Sequence, residues 1–337
     1  MAMKERFNWI DWSKSLCMFL VVLGHCHVVE SQQVVSQVIY SFHIPLFFFL
    51  SGLLCPKILS LSSLKKDLRY LILPYFVYGF LLMAVFTCLS MDFSLDSLWH
   101  RIQALCLGYD ASIGAIWFLP ALFICKQLYF FCRWILTKSR VLGCVIAFST
   151  IMPAYFIAHG DVNLPLFADS ALFGLPFFLL GSFSLPLIEK WKNVGAIPLS
   201  LSTVFLMLLT IFLAVNNGFV SLATCDYGTS FIVYYLCAIA GIASITSGCL
   251  LLDSYRLRFV TVTSYGTIVT LGIHGLLLMM LQYYIPVLLG YYTPTLILPV
   301  AVLYAAITYT LCFFVIQWAD RYCPHLMGLK GVLNRLK

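Results

Sequence analysis

The chain has 337 residues, of which 62% are hydrophobic and only 10% are charged, and its formal net charge is +7. A soluble domain carries about 25% charged residues and about 45–50% apolar ones. A chain of this length has no interior large enough to bury such an excess of apolar side chains. The composition therefore excludes a soluble enzyme, a disordered chain and a disulfide-stapled secreted domain, and it predicts a protein whose solvent is mostly lipid.

Runs of about 20 mostly apolar residues predict ten transmembrane helices. In chain order they lie at 11–29, 34–55, 68–90, 114–136, 141–158, 170–188, 196–215, 229–252, 262–287 and 293–318. The first run has no small-residue cleavage site, so we expect a permanent span rather than a signal peptide. Prolines inside several of the runs predict kinks, among them Pro45, Pro74, Pro120 and Pro176. The predicted fold is an all-α integral membrane protein, with one polytopic domain over 1–337 built as a bundle of about ten transmembrane helices.

The basic residues predict the orientation of these helices, because Lys and Arg gather on the cytoplasmic side of a membrane. Seventeen of the 20 flank alternate ends of the spans: Lys4, Arg6, Lys57, Lys65, Lys66, Arg69, Arg133, Lys138, Arg140, Lys190, Lys192, Arg256, Arg258, Arg321, Lys330, Arg335 and Lys337. Only Arg101 lies in the opposite loops. Both termini are therefore predicted to be cytoplasmic, and the basic charge indicates topology rather than a nucleic-acid partner.

Two further patterns are informative. The outer loop 91–113 contains SLWHRIQALCLG, which predicts an amphipathic segment on the outer membrane surface. The thirteen cysteines are scattered along apolar stretches and have no zinc-like spacing, so no bound metal is predicted.

Ionisable side chains at membrane depth cost at least a few kcal/mol and are candidate functional residues. Six lie at this depth in the spans: Asp11, Lys14, His25, His43, Lys126 and His274. Lys14 and His25 are eleven residues apart, within about 20° of one helix face and about 16 Å apart along the axis. Asp11 lies one turn before Lys14 and is placed to neutralise it. The alternatives are that Lys14 reaches the lipid phosphates and that His25 only bonds a neighbouring helix.

The other spans offer weaker candidates. His43 lies close to Pro45 in the second span, where Gly52 favours a close helix approach. Trp117 opens the fourth span, either as a residue of the interfacial aromatic belt or as a surface that stacks on a ligand. Lys126 lies nearer the cytoplasm in the same span. His274, in the ninth span, is as compatible with a structural role as with a functional one.

Five segments together resemble integral-membrane acyltransferase family 3, and most closely its branch of fucose acetylase-like O-acetyltransferases. They are WIDWSKSLCMFLVVLGH (9–25), FHIPLFFFLSG (42–52), WFLPALF (117–123), CDYGTSFIVYYLCAIAGI (225–242) and SYGTIVTLGIHG (264–275). In that family the first span carries a basic residue, usually Arg, ahead of an essential His. The resemblance thus implies that His25 is catalytic and that Lys14 occupies the basic position. Lys keeps the charge of Arg but loses its bidentate fork.

The resemblance implies a membrane O-acyltransferase of the inner (plasma) membrane. It would move an acyl group, usually acetyl with succinyl as an alternative, from a cytoplasmic acyl-CoA such as acetyl-CoA, a donor substrate rather than a bound cofactor, to a surface polysaccharide or its lipid-linked precursor. His25 would act as general base or form an acetyl-histidine. The oxyanion donor would be His43 or a backbone N–H near Pro45, and Trp117 would stack on the sugar. The alternative is a permease or polysaccharide flippase. The absence of an inverted repeat and of an Asp or Glu in the middle of a span argues against it.

Overall fold

The computed structural model describes residues 7–27, 33–108, 111–138, 155–156, 164–288, 290, 296–331 and 333. Its α-helices, numbered within these residues, are α1 (Asn8–Gly24), α2 (Gln33–Leu53), α3 (Leu61–Asp67), α4 (Leu73–Ser90), α5 (Leu95–Leu107), α6 (Phe118–Lys138), α7 (Ala168–Lys192), α8 (Ala196–Asn217), α9 (Phe231–Leu251), α10 (Arg258–Tyr265), α11 (Thr267–Met279), α12 (Ile285–Leu288) and α13 (Leu298–Tyr322). The π-helical turns Leu68–Ile72 and Met280–Tyr284 join α3 to α4 and α11 to α12. The described residues form no β-strand and only isolated bridges, such as the one between Ser221 and Asp226, so the all-α prediction is confirmed there.

Eight helical stretches of the described chain are long and apolar enough to cross a bilayer: Gln33–Leu53, Leu61–Ser90, Gly114–Ile135, Pro165–Lys192, Ala196–Asn217, Phe231–Leu251, Thr267–Val287 and Leu298–Tyr322. Helix α1, at 17 residues, is at the lower limit of a spanning length. The chain is therefore a multi-pass membrane protein. The predicted fifth span, 141–158, falls outside the described residues except at 155–156, and the count of ten and the cytoplasmic termini stay predictions.

Helix α8 shows that the apolar excess faces outward. Its side chains Leu201, Phe205, Leu208 and Phe212 are each more than 60% exposed. Exposing an apolar face of this extent to water is unfavourable. The cost is absent when lipid surrounds the helix.

Two predicted spans have different bounds in the structure. The first helix ends at Gly24 rather than at residue 29, and His25 caps it with helical backbone angles. Its last turn tightens, because the Cys26 N–H donates to the carbonyl of Leu23. The predicted ninth span, 262–287, is broken at Gly266, which separates α10 from α11. A side chain at Gly266 would collide with Ile316 of α13, so the lack of one lets α13 approach closely.

The prolines occupy two kinds of position. Pro45 and Pro176 lie inside α2 and α7, as predicted. Pro74 and Pro120 instead lie in the first turns of α4 and α6. In both cases a helical turn of another type, Leu68–Ile72 or Ala111–Trp117, leads directly into the α-helix, so the helix departs from α geometry just before each proline.

Helix α2 lies at the centre of the bundle and packs against α1, α7, α8 and α9. It meets α7 through two glycines. A Cβ atom at Gly52 would collide with the carbonyl oxygen of Phe178, and one at Gly181 would collide with the carbonyl oxygen of Phe49. The two backbones therefore touch directly, as the small residue at position 52 predicts.

The amphipathic segment predicted after span three is helix α5. Ser94 caps it by accepting a hydrogen bond from the Ser97 N–H, and the helix buries Ala104 and Leu105 while it exposes Leu95 and Trp99. The helix is confirmed, and its position at the outer membrane surface stays a prediction.

Candidate active site

Three histidines from distant parts of the sequence gather where α1 ends. The ring centroids of His25 and His274 lie 4.9 Å apart, edge to face. The Tyr40 ring lies 6.2 Å from His25 and 5.0 Å from His43. His43 and His274 are buried, and His25 is partly exposed. We call His25, His43 and His274 the histidine cluster.

Each member of the histidine cluster is held in the same way by its own helix. Nδ1 of His25 lies 2.7 Å from the carbonyl oxygen of Val21, four residues earlier. His43 makes the equivalent contact with Ile39 at 2.7 Å, and His274 makes it with Thr270 at 2.8 Å. A carbonyl oxygen only accepts, so Nδ1 carries the proton of each neutral ring. Nε2 of each ring is thereby left with a free lone pair, as a general base requires.

This geometry argues against both predicted oxyanion donors. A neutral His43 whose Nδ1–H is donated to Ile39 has no proton on Nε2 to give to an oxyanion. Pro45 lacks an N–H, so a proline inside a helix leaves a carbonyl unpaired and not a donor.

His25 opens onto a cavity of about 450 Å³, which we call the histidine cavity. It is lined by His25, His27, Gly275, Leu278, Met279, Gln282, Tyr283 and Tyr284. Gln282 lies in the π-helical turn after α11, and such turns are frequent at functional sites. Its Nε2 is buried and has no hydrogen-bond partner among the described residues. Gln282 thus brings a buried amide, next to the Cys26 thiol, into the lining of the same cavity as His25.

A second cavity, of about 490 Å³, lies where α1 begins and α2 ends. We call it the lysine cavity, because its lining includes the ammonium-bearing residues Lys14, Lys66, Lys126 and Lys330. Asp11 and Asp67 also line it, so its ionisable lining carries a net charge of +2. The Oδ1 atom of Asp11 accepts the Ser264 hydroxyl at 2.6 Å. A cavity with this charge suits a polyanion.

A narrow third cavity, of about 120 Å³, continues from the lysine cavity into the bundle. We call it the apolar cavity. It shares Lys14, Ser51, Leu71, Leu122, Thr267 and Ile268 with the lysine cavity, and its other walls are Met18, Ile44, Phe47, Phe118, Leu119 and Leu271. Leu271 lies three residues before His274, about 4.5 Å along α11, and Phe47 lies four residues after His43, about 6 Å along α2. The apolar cavity therefore leads from Lys14 toward the histidine cluster.

Lys126 of α6 is paired with Asp67 at the end of α3. Its Nζ lies 2.6 Å from Asp67 Oδ1, and the two side chains are only 17% and 8% exposed. The second oxygen of Asp67 is buried without a hydrogen-bond partner among the described residues. Lys126 thus helps to line the lysine cavity and also neutralises a buried carboxylate.

Breaking this ion pair is expected to destabilise the protein. Lys126→Met leaves the Asp67 charge buried and unpaired, which costs about 3–5 kcal/mol. The double variant Lys126→Met/Asp67→Leu removes both charges and should recover most of that loss. Thermal unfolding in detergent measures both, and a double variant no more stable than Lys126→Met would show that the charge imbalance is not the cause.

Trp117 is buried, with 7% of its surface exposed. It precedes α6 and packs against Phe118 and Phe167, with ring centroids 6.1 Å from each. This packing leaves little of the ring face open to a sugar, and its part in ligand binding stays a prediction.

Several site residues were not predicted from the sequence. Gln282 is uncharged and carries no motif. In the sequence Lys330 is only one of the loop charges that orient the chain, and Asp67 is one acid beside a basic run. In the described part of the chain, no group of three or more His, Cys, Asp or Glu residues is placed to hold a metal ion.

Comparison with known families identifies the class of protein. A family model described as an acyltransferase domain, Acyl_transf_3, matches residues 7–317. The chain belongs to acyltransferase family 3. No curated protein and no solved structure matches it. The protein is thus a multi-pass membrane acyltransferase, and the match includes the histidine cluster and most of the lining of all three cavities.

Proposed function

We propose that this acyltransferase moves an acetyl group from acetyl-CoA to a hydroxyl of a surface polysaccharide or its lipid-linked precursor. The donor occupies the lysine cavity, and the acceptor enters the histidine cavity on the opposite side of the histidine cluster. The proposal includes ten spans, cytoplasmic termini and the inner (plasma) membrane, which place the lysine cavity on the cytoplasmic side.

The observation that carries this proposal is the order of the cavities. A cationic cavity suits the phosphates of coenzyme A, and the narrow apolar cavity that continues from it suits the pantetheine arm. The arm then delivers the thioester toward the histidine cluster. Lys14 lines both cavities, so its ammonium group would contact the coenzyme A phosphates where the phosphates end and the pantetheine arm begins.

His25 is the member of the cluster that reaches the acceptor, because it alone lines the histidine cavity. Its Nε2 takes the proton of the acceptor hydroxyl as the oxygen attacks the thioester carbonyl. The tetrahedral intermediate collapses with cleavage of the C–S bond, and His25 returns the proton to the leaving thiolate. An acetyl-histidine route uses the same Nε2 atom as nucleophile.

The experiment that tests this function is acetyl transfer by the purified protein in lipid vesicles. Labelled acetyl-CoA and the cell's own surface polysaccharide are supplied, and the label is followed into base-labile ester. Incorporation that needs both substrates supports the transferase. A permease or flippase would instead move polysaccharide across the vesicle membrane without acetyl-CoA and without ester formation.

Gln282 is expected to supply the missing oxyanion donor. Two buried side-chain nitrogens of the described chain have no hydrogen-bond partner, Nε2 of Gln282 and Nε2 of His274. The His274 atom is an acceptor, because Nδ1 of that ring carries the proton. Nε2 of Gln282 is therefore the N–H donor of the two. One such donor is worth about 10²–10³ in kcat. Gln282→Leu and Gln282→Glu should both lose about that factor at unchanged donor KM in steady-state kinetics. A rise in acceptor KM with kcat intact would assign Gln282 to acceptor binding instead.

A further inference from the structure

The chain that follows α13 folds back against the lysine cavity. Leu329 is 1% exposed. Gly328 has φ of +75°, and a Cβ atom there would lie 2.9 Å from Ile268 and 3.1 Å from Pro74. This segment, residues 323–331, is therefore packed against the start of α11 and the start of α4. It lies beyond the part of the chain that the family model matches.

Two side chains of the bundle fix the segment. The Tyr265 hydroxyl donates to Asp320 Oδ1 at 2.5 Å, and its oxygen accepts the backbone N–H of Lys330 at 2.6 Å. The other oxygen of Asp320 accepts the N–H of Leu333 at 2.9 Å. The backbone of Lys330 is thus anchored by a hydroxyl that lines the same cavity.

Lys330 completes a like-charged pair at the rim of the lysine cavity. Its side chain is exposed at the rim, as is that of Lys66. The pKa of Lys330 is lowered, first by partial withdrawal of the ammonium group from water and then by the positive charge of Lys66. Lys126 is paired with Asp67, so that carboxylate is already engaged. An anion between Lys66 and Lys330 would relieve their repulsion.

We propose that Lys66 and Lys330 together bind a phosphate group of the acyl-CoA donor, so that the C-terminal segment is part of the donor site. The proposal rests on the proposed function. Ammonium groups bind phosphate as mobile point charges, and two of them from separate elements at a cavity rim leave room for one such group. The pair lies at the mouth of the cavity that narrows toward the apolar cavity and the histidine cluster.

The test is acetyl-CoA binding to the purified full-length protein in phosphatidylcholine nanodiscs, in phosphate-free buffer. Lys330→Gln and Lys66→Gln should each weaken acetyl-CoA binding by about tenfold, and Lys330→Arg should retain most of the affinity. S-acetylpantetheine, which has no phosphate, should bind Lys330→Gln as well as it binds the wild type. Lys65→Gln is the matched control, because Lys65 is an exposed neighbour of Lys66 that is absent from the cavity lining.

The outcomes separate this proposal from the function on which it rests. A wild type that binds no acetyl-CoA would overturn both. Wild-type affinity in a folded Lys330→Gln variant would overturn only the role of the C-terminal segment. A loss of affinity for S-acetylpantetheine equal to that for acetyl-CoA would show a general distortion of the site and would also overturn it. A defect seen only in anionic-lipid discs would assign the pair to a lipid headgroup.

Discussion

His25→Asn is expected to abolish measurable acetyl transfer while the protein still inserts and folds. The asparagine amide can still donate to the carbonyl of Val21, as Nδ1 of the histidine does, but nothing replaces the lone pair of Nε2. Removal of a general base typically costs 10²–10⁴ in rate. The measurement is the rate of ester formation at saturating donor and acceptor, with folded protein quantified by size-exclusion chromatography.

The control for this variant is His100→Asn. His100 lies on α5, is exposed and belongs to none of the three cavities, so transfer should be unchanged. A His25→Asn variant that keeps its activity while His274→Asn loses it would move the base to the neighbouring ring. Activity in both variants would remove the histidine cluster from the chemistry.

Gly52→Ala and Gly181→Ala are expected to give large losses of stability. At each position the added methyl group meets a backbone carbonyl of the facing helix, that of Phe178 or that of Phe49. A side chain can rotate away, but a helix backbone cannot, so α2 and α7 must separate. Overpacking costs about 1–3 kcal/mol and occasionally more, and backbone collision places these sites at or above the upper end. Thermal unfolding in detergent measures the loss.

Gly275→Ala is the matched control for stability. Gly275 is also inside a helix, α11, but a Cβ atom there meets nothing within 4 Å. Because alanine is the better helix former by about 1 kcal/mol, this variant should be as stable as the wild type or slightly more so. Equal unfolding temperatures for Gly52→Ala, Gly181→Ala and the wild type would contradict the direct backbone contact between α2 and α7.

The sequence was sufficient to predict the class of fold because lipid imposes simple rules. Long apolar runs predicted the helices, but local backbone geometry and contacts between helices moved the ends of some of them. Helix α1 stops at Gly24, and Gly266 breaks the ninth span where α13 packs closely. A composition window does not detect such contacts, since they depend on which helices are neighbours.

The candidate site was predictable only one residue at a time. The cost of an ionisable group in lipid pointed to His25, His43 and His274 separately, but only the folded chain shows that the rings of His25 and His274 are 4.9 Å apart. The partnership of Lys126 with Asp67 was equally invisible, because 59 residues separate them. Gln282 gave no signal, since an uncharged amide is significant only when its N–H is buried without a partner.

In the proposed reaction, donor and acceptor reach His25 from opposite sides of the membrane. The most direct test uses sealed vesicles of defined orientation, with labelled acetyl-CoA confined to one side and the acceptor polysaccharide to the other. We predict ester formation when acetyl-CoA is on the side of Lys14 and the acceptor is on the side of Gln282, and none when the two substrates are exchanged or when His25→Asn replaces the wild type. Transfer at full rate with both substrates confined to the Lys14 side would contradict the account.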